Sequence, residues 1–309
     1  MLFRSMDVET LESNFTGERI DMTLDEDSLS HIMSVLTDLY SDTIGASVRE
    51  YSTNARDAHL ESGKGDIPIE ITAPTAFNPM FKVRDFGKGL TLEDLRNVYS
   101  KYGASTKREN INANGMIGVG SKAALTYTSS FTVMSVAKGK KHIVSVSRDE
   151  DGGGHFDIVD VSDTTEPTGV EVQIPVARPD IASFNDRIRN FFKWWEPGTA
   201  KIDGVPNKGL DLDEYTPVDN YSKIYFGNRY DSIIVMGGVA YPSPFETPFQ
   251  IGKGYVYFAE MGEVVFSPSR ESLRTNKRNR DVHERVVSEI KAKVSDKAMT
   301  MVAVAPNII

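Results

Sequence analysis

Cysteine is absent from the whole chain of 309 residues. That excludes disulfides and thiolate metal sites, deprives zinc and iron–sulfur chemistry of their usual ligands, and fits a reducing cytoplasm. Long apolar runs are missing too. No stretch approaches the ~20 residues needed to span a bilayer, and the opening MLFRSMDVETLES has no signal-peptide core. The chain is therefore expected to be cytoplasmic, with peripheral membrane association left open. Positive charge is in deficit: 44 Asp and Glu against 35 Lys and Arg give a net −9, which argues against binding nucleic acid by bulk electrostatics. A basic run at Arg270, Arg274, Lys277, Arg278 and Arg280 is the local exception. Tryptophan occurs only at Trp194 and Trp195, a pair that reads as packing at a domain junction.

What is present is an ordinary globular composition, 39% hydrophobic, long enough for about two domains at ~100 to 200 residues each. The most informative segment is REYSTNARDAH at 49–59. On a helix at about 100° per residue, Asn54 falls roughly 40° from Glu50 and Asp57 roughly 20° from it on the other side. Val48, Tyr51, Ala55 and Ala58 supply apolar surface around this stripe. A carboxylate, an amide and a second carboxylate so placed can hold a divalent cation and a water beside a ligand. Taken alone, the same stripe also fits a solvated face. His59, about 180° from Glu50, is read as outside the site.

Along the chain, 26–41 has the apolar spacing of a first amphipathic helix. The 49–59 helix follows Asp42 or Thr43 as cap and stops near Gly63 and Gly65. Residues 67–72 and 80–85 read as strands, and 91–102 as a helix whose Thr91 and Asp94 form a carboxylate capping box. Residues 103–118 lack periodicity and read as a long loop. SSFTVMSV, HIVSVSR, FDIVDV and VEVQIPV, between 129 and 176, read as strands of a mixed or antiparallel sheet. A helix over 180–195 leads to EPGTAKIDG at 196–204, the expected domain boundary. The second unit contains strands at 232–241, 255–260 and 264–269, then a charged helix from about Arg280 to Met301. The final MTMVAVAPNII fits either a truncation or a buried or partner-contacting tail.

Two further motifs carry chemistry. In VRDFGKGL at 83–90 a strand ends in Asp85, and Gly87 and Gly89 follow. The carboxylate can accept from an exocyclic amine while the glycines let the backbone approach a flat ring; an ordinary Gly-rich turn is the plain alternative. The DFG triplet mimics a protein-kinase motif, but no HRD loop precedes it. In GMIGVGSKAAL at 115–125 a Gly-rich loop enters a helix whose first amides can cradle phosphate. It is not a P-loop, because Ser121 and Lys122 stand in the reverse order and a loop precedes it.

The order of these features, acidic helix, Asp-Gly-Gly strand end, polar loop, Gly-rich helix start and TGVEV at 168–172, resembles the GHKL ATPases, the group of gyrase B, the ninety-kilodalton heat-shock chaperones, histidine kinases and MutL. The resemblance covers about 26–176. It implies an α/β Bergerat-type ATP-binding sandwich, a mixed sheet with helices on one face, over 1–196. A smaller α/β transducer domain, like ribosomal protein S5 domain 2, would occupy 197–309. By the same resemblance Glu50 polarises the attacking water, Asn54 ligates Mg2+, Asp57 lines the pocket, and Asp85 reads the adenine amine beside Gly87 and Gly89, supported by Thr168. Ser105, Thr106 and Lys107 match the start of an ATP lid. Gly115, Gly118, Gly120, Ser121 and Lys122 match the phosphate-binding segment.

SPSRESL at 267–273 is similar to the chaperone segment that carries a catalytic arginine, which would bring Arg270 to the γ-phosphate. A basic surface run is the alternative. The RDFG, GVGSKAAL and SPSRESL forms together look most like the N-terminal region of bacteriophage RIIA-type proteins, which are linked to rapid-lysis control and to resisting host exclusion. Implied are slow ATP hydrolysis coupled to lid closure and dimerisation, and a host or phage protein as partner. An ATP-gated module that sequesters a host protein with negligible turnover uses the same residues. A histidine kinase fits less well, because only 49 residues precede Glu50 and they hold a single histidine, His31.

Overall fold

The computed structural model describes residues 40–99, 120–148, 154–213, 215–218, 223–228, 231–249 and 253–304. The helix expected over 26–41 and the loop over 103–118 lie essentially outside them.

The first described helix, α1, spans Thr43–Glu61, and the capping choice falls on Asp42, whose Oδ1 accepts from the Gly45 amide at 2.9 Å. Two hairpin strands follow, β1 (Ile69–Thr72) and β2 (Met80–Arg84), then the short helix α2 (Leu92–Tyr99). Its cap is the expected reciprocal one: the Thr91 amide donates to Asp94 Oδ2 at 3.0 Å and the Asp94 amide to Thr91 Oγ1 at 3.2 Å. GSKAALT at Gly120–Thr126 forms a 3-10 helix rather than an α-helix.

The strands β3 (Ser130–Ala137), β4 (Lys140–Arg148), β5 (Gly154–Asp163) and β6 (Gly169–Pro175) appear where the alternation placed them. Helix α3 (Ile181–Phe192) and the hairpin β7 (Ala200–Ile202) and β8 (Val205–Pro206) complete this unit. The sheet order is β5-β4-β3-β6-β2-β1-β7-β8, antiparallel except where β1 meets β7, so the sheet is mixed as expected. Val48, Tyr51 and Ala55 of α1 and Phe184, Ile188 and Phe192 of α3 share one core with Phe81, Val83, Val133, Val144, Val172 and Ile174 of the strands. Alternating burial along β2 and β3 shows that one face of the sheet carries this core.

The expected boundary at 196/197 cuts this sheet. EPGTAKIDG is not a linker: Ile69, Glu70 and Ile71 pair with Ala200, Lys201 and Ile202, and the Asp203-Gly204 turn closes a hairpin onto β8. Asn207 locks the corner, donating through Nδ2 to the Phe192, Trp195 and Glu196 carbonyls and accepting from the Ala200 amide.

The second unit is a five-stranded sheet in the order β12-β11-β13-β10-β9. Its strands are β9 (Tyr215–Pro217), β10 (Ile224–Asn228), β11 (Ile233–Met236), β12 (Val239–Pro242) and β13 (Lys253–Ala259). Helix α4 (Lys277–Val304) lays Val282, Val286, Val287 and Ile290 on it. The strand expected over 264–269 does not form; a single bridge, Phe266 with Leu273, closes a loop with Arg270 near its tip. Polar SPS chemistry and Pro268 favour a turn there over a ladder. Trp195 joins the first core and Trp194 a cluster with Ile233, Val235 and Val256, so the tryptophan pair sits at the junction of the two units.

Candidate active site

Helix α1 is buried along most of its length because it packs on the first sheet's core between the 3-10 segment and α3, while the loop of the second unit covers its N-terminal part. Within it Glu50 is only 2% exposed, which a carboxylate tolerates when its oxygens are paired. Its Oε1 accepts from Arg49 Nε at 3.0 Å and its Oε2 from Arg270 Nη1 at 2.9 Å. Arg270 thus reaches from the second unit across to α1. Burial is the largest influence and opposes its charge, yet Glu50, with the Tyr241 and Tyr40 hydroxyls, together overcome it and raise the Arg270 pKa above the ordinary arginine value.

Three consecutive residues tie the loop to α1. The Ser269 carbonyl accepts from Arg49 Nη2 at 2.9 Å, Arg270 meets Glu50, and Glu271 accepts from the amides of Asp42 at 3.0 Å and Ser41 at 3.2 Å. For Glu271, burial pushes the carboxyl up, but these hydrogen bonds prevail and hold it below the ordinary range. Arg270 adopts a left-handed backbone, φ 57°, which a non-glycine residue holds only where its surroundings demand it. Its Nε and Nη2 are buried without a well-aligned hydrogen-bond partner, although the Tyr241 hydroxyl interacts with the guanidinium, which lies 5.6 Å from the Phe266 ring centre. Two buried, unsatisfied cationic donors beside a carboxylate fit an anionic oxygen.

Gly120, at the start of the 3-10 helix, packs against Glu50: a Cβ there would stand 2.4 Å from Oε2. Tyr51 sets this approach, donating its hydroxyl to the Ser121 carbonyl at 2.9 Å and accepting from the Ala124 amide at 3.2 Å. Lys122 is buried and donates to the Val98 carbonyl at 2.8 Å; loss of solvent lowers its pKa to about 8. The structure therefore brings Glu50, Arg270, Gly120 and the 121–122 segment together. Asp57 is buried and Asn54 half-buried on the same helix. Ser105, Thr106, Lys107, Gly115 and Gly118 lie outside the described residues. Among the described residues no group of three or more His, Asp or Glu is placed to hold a metal ion.

Farther along α1 the Asp85 turn forms the second half of the site. Asp85 is buried, and its Oδ1 accepts from the Gly87 amide at 2.8 Å. The Gly87 carbonyl accepts from Thr168 Oγ1 at 2.7 Å, which ties Thr168 to the turn. Gly169, φ 135°, crosses behind it so closely that a Cβ would come within 2.0 Å of the Asp85 carbonyl. Gly87 rests on Ala58, with 3.1 Å between a Cβ there and the Ala58 Cβ. From Glu50 to Ala58 the helix rises about 12 Å, so a carboxylate with an arginine lies at one end and a carboxylate-glycine turn at the other.

Several residues of this site escaped the sequence reading. Arg49, Tyr51 and Glu271 lie inside the quoted segments, but only their partners in the fold give them a role. His59 lies on the far side of α1 from Glu50; the strand end after β2 passes beneath the helix there, and His59 Nε2 accepts from the Phe86 amide at 2.6 Å.

Residues 43–165 match the model of the family described as Histidine kinase-, DNA gyrase B-, and HSP90-like ATPase. Among solved structures, the ATPase region of Saccharomyces cerevisiae topoisomerase II has the same fold, at TM-score 0.57 and 13% identity over 84% of this chain and 85% of that one. The same region bound to ICRF-187 (dexrazoxane) matches at TM-score 0.57 and 14% identity, over 84% and 86%. No curated protein sequence matches the chain.

Proposed function

We propose that this chain, which has the GHKL ATPase fold and matches that family's model over residues 43–165, binds Mg-ATP and hydrolyses it slowly. The observation that carries the reading is the buried contact of Glu50 with Arg270 from the second unit, beside two unpaired guanidinium donors. Glu50 would orient and deprotonate water. Arg270 would turn from Glu50 to charge on the γ-phosphate, as arginines do in other phosphoryl-transfer sites, where they supply roughly 10³ to 10⁵ in rate. Asp85, Gly87, Gly89 and Thr168 would take the adenine, and Gly120, Ser121 and Lys122 the phosphates, joined by Gly115, Gly118 and the lid residues Ser105, Thr106 and Lys107. Asn54 would ligate Mg2+, which when bound neutralises phosphate charge and needs few protein ligands. Asp57 lines the pocket.

Because Arg270 lies on the second unit, a ligand that draws it away from Glu50 would reposition that unit, an S5-like transducer on this reading. Lid closure and ATP-dependent dimerisation would follow. The motif forms support a finer assignment, a phage RIIA-type protein acting in the host cytoplasm on a host or phage protein in lysis control or counter-defence. One observation favours a second reading. A carboxylate whose two oxygens are held by Arg49 and Arg270 has neither turned to a water until one of them leaves, so the chain would serve as an ATP-gated interaction module with negligible turnover. Phosphate release measured beside ATP-dependent dimer formation separates the two: dimer with phosphate supports the ATPase, dimer without it the module, and absence of ATP binding refutes both.

A further inference from the structure

His59 is fully buried at the C-terminal end of α1, and both ring nitrogens are engaged. Nδ1 lies 2.8 Å from the Ile67 carbonyl and must donate to it; Nε2 accepts from the Phe86 amide at 2.6 Å. This hydrogen-bond pattern admits only the neutral imidazole with its proton on Nδ1. The opposite side of the same residue is held as well, since Lys64 Nζ donates to the Phe86 carbonyl at 2.5 Å. Arg84 lies 5.3 Å from the Phe86 ring centre and anchors itself on the Pro167 carbonyl at 2.8 Å. Phe86 is the residue between Asp85 and Gly87. Its amide and carbonyl are thus clamped by α1 and by the turn that follows it.

We propose that His59 and Lys64 are positioning residues for base selection: by fixing the Phe86 amide and carbonyl they set the height and tilt at which the Asp85 carboxylate meets the exocyclic amine of a bound purine. The inference rests on the reading of Asp85 as the base-recognising group. An amine-bearing base needs an acceptor at that point and a carbonyl-bearing base a donor, so a displaced carboxylate costs discrimination as well as affinity. The charged groups around the imidazole are Arg56 and Lys64, on its own helix and the turn after it, and Arg84 on β2. Burial first, then these cations against the Ile67 hydrogen bond, keep His59 neutral below the ordinary histidine range. Protonation would place a second donor against the Phe86 amide and release the turn.

The test is binding of non-hydrolysable ATP and GTP analogues to the full chain between pH 5 and 8. His59→Leu should weaken the ATP analogue roughly tenfold, the worth of about one hydrogen bond, and narrow its preference over the GTP analogue. His59→Gln, whose Oε1 can accept where Nε2 did, should keep affinity and preference at pH 7.5. It should also lose the part of the acid-side decline that is due to His59, because it has no proton to gain. Lys64→Met should narrow the preference even if the Leu variant fails to fold. Unchanged selectivity in both Lys64→Met and any folded His59→Leu, or a Gln variant no better than Leu, overturns the inference. A wild-type protein that binds neither analogue removes the ATP reading itself, whereas tight binding of ATP with indifferent variants removes only this proposal.

Discussion

Replacing Glu50 by Gln leaves two guanidinium groups buried with no anion between them. Arg49 is 7% exposed and Arg270 5%, and each holds one Glu50 oxygen, at 3.0 and 2.9 Å. Removing one partner of a buried ion pair costs about 3 to 5 kcal/mol, and the isosteric amide, still able to accept one hydrogen bond, should sit near the low end. For a protein of this size ~3 kcal/mol corresponds to a fall in Tm of roughly 5 °C. Arg270→Gln should cost less, about 1 to 2 kcal/mol, because Glu50 keeps Arg49. The double variant should then be less destabilised than the sum, with a coupling of at least ~1 kcal/mol. Thermal unfolding of the four proteins without nucleotide measures this, and repeating it with a non-hydrolysable ATP analogue adds a second check. The γ-phosphate returns negative charge to Arg270, so the analogue should stabilise Glu50→Gln more than the wild type. Turnover of Glu50→Gln or Glu50→Ala should fall by at least ~10² while affinity is kept or increased. Additive single and double variants, or unchanged phosphate release from Glu50→Ala, would refute the clamp and the base respectively.

Asp85→Asn should weaken ATP binding itself, measured by calorimetry, because the amide presents a donor to an amine; normal affinity would sink the adenine assignment. Gly120→Ala places a Cβ 2.4 Å from Glu50 Oε2. The carboxylate cannot yield while both arginines hold it, so phosphate release should fall more than affinity does, and an active variant would show that the segment moves away before catalysis. For Lys122, the folded pKa of about 8 lies below the unfolded 10.5, so its charge is present at neutral pH and is lost as pH rises through 8. Phosphate affinity of the free protein should therefore decline above pH 8, a decline that Lys122→Met abolishes; an identical alkaline limb in that variant would remove Lys122 from the phosphate site.

Much of the fold was legible because it depends on local chemistry. The four strands between 129 and 176 announce themselves by alternation, Asp42 and Thr91 by capping, and the 49–59 helix by its apolar flank. Where the reading failed, long-range pairing had prevailed over local signals. EPGTAKIDG has the composition of a linker, yet its AKI pairs in parallel with β1, far away in sequence. VVFSPS has strand-forming residues at its start, but its register is surrendered to the turn that presents Arg270. The 3-10 form of GSKAALT follows from Tyr51 gripping both Ser121 and Ala124, contacts that no propensity scale contains.

The sequence by itself determined which chemical groups are available and in what order: a carboxylate, amide and carboxylate at helical spacing, an aspartate ahead of two glycines, and a glycine-rich segment, in a chain without thiols. Their spacing along one helix or one turn is set by backbone geometry and needs no partner. Only the tertiary structure decided what those groups meet. Arg270 lies 220 residues from Glu50 and closes on it only because a strained loop of one unit docks on the helix of the other. His59, on the wrong side of its helix by angle, becomes a support of the Asp85 turn because the chain passes beneath it. Charge pairing and hydrogen bonding act over a few ångströms of space, not along the sequence, so these roles exist only in the folded chain.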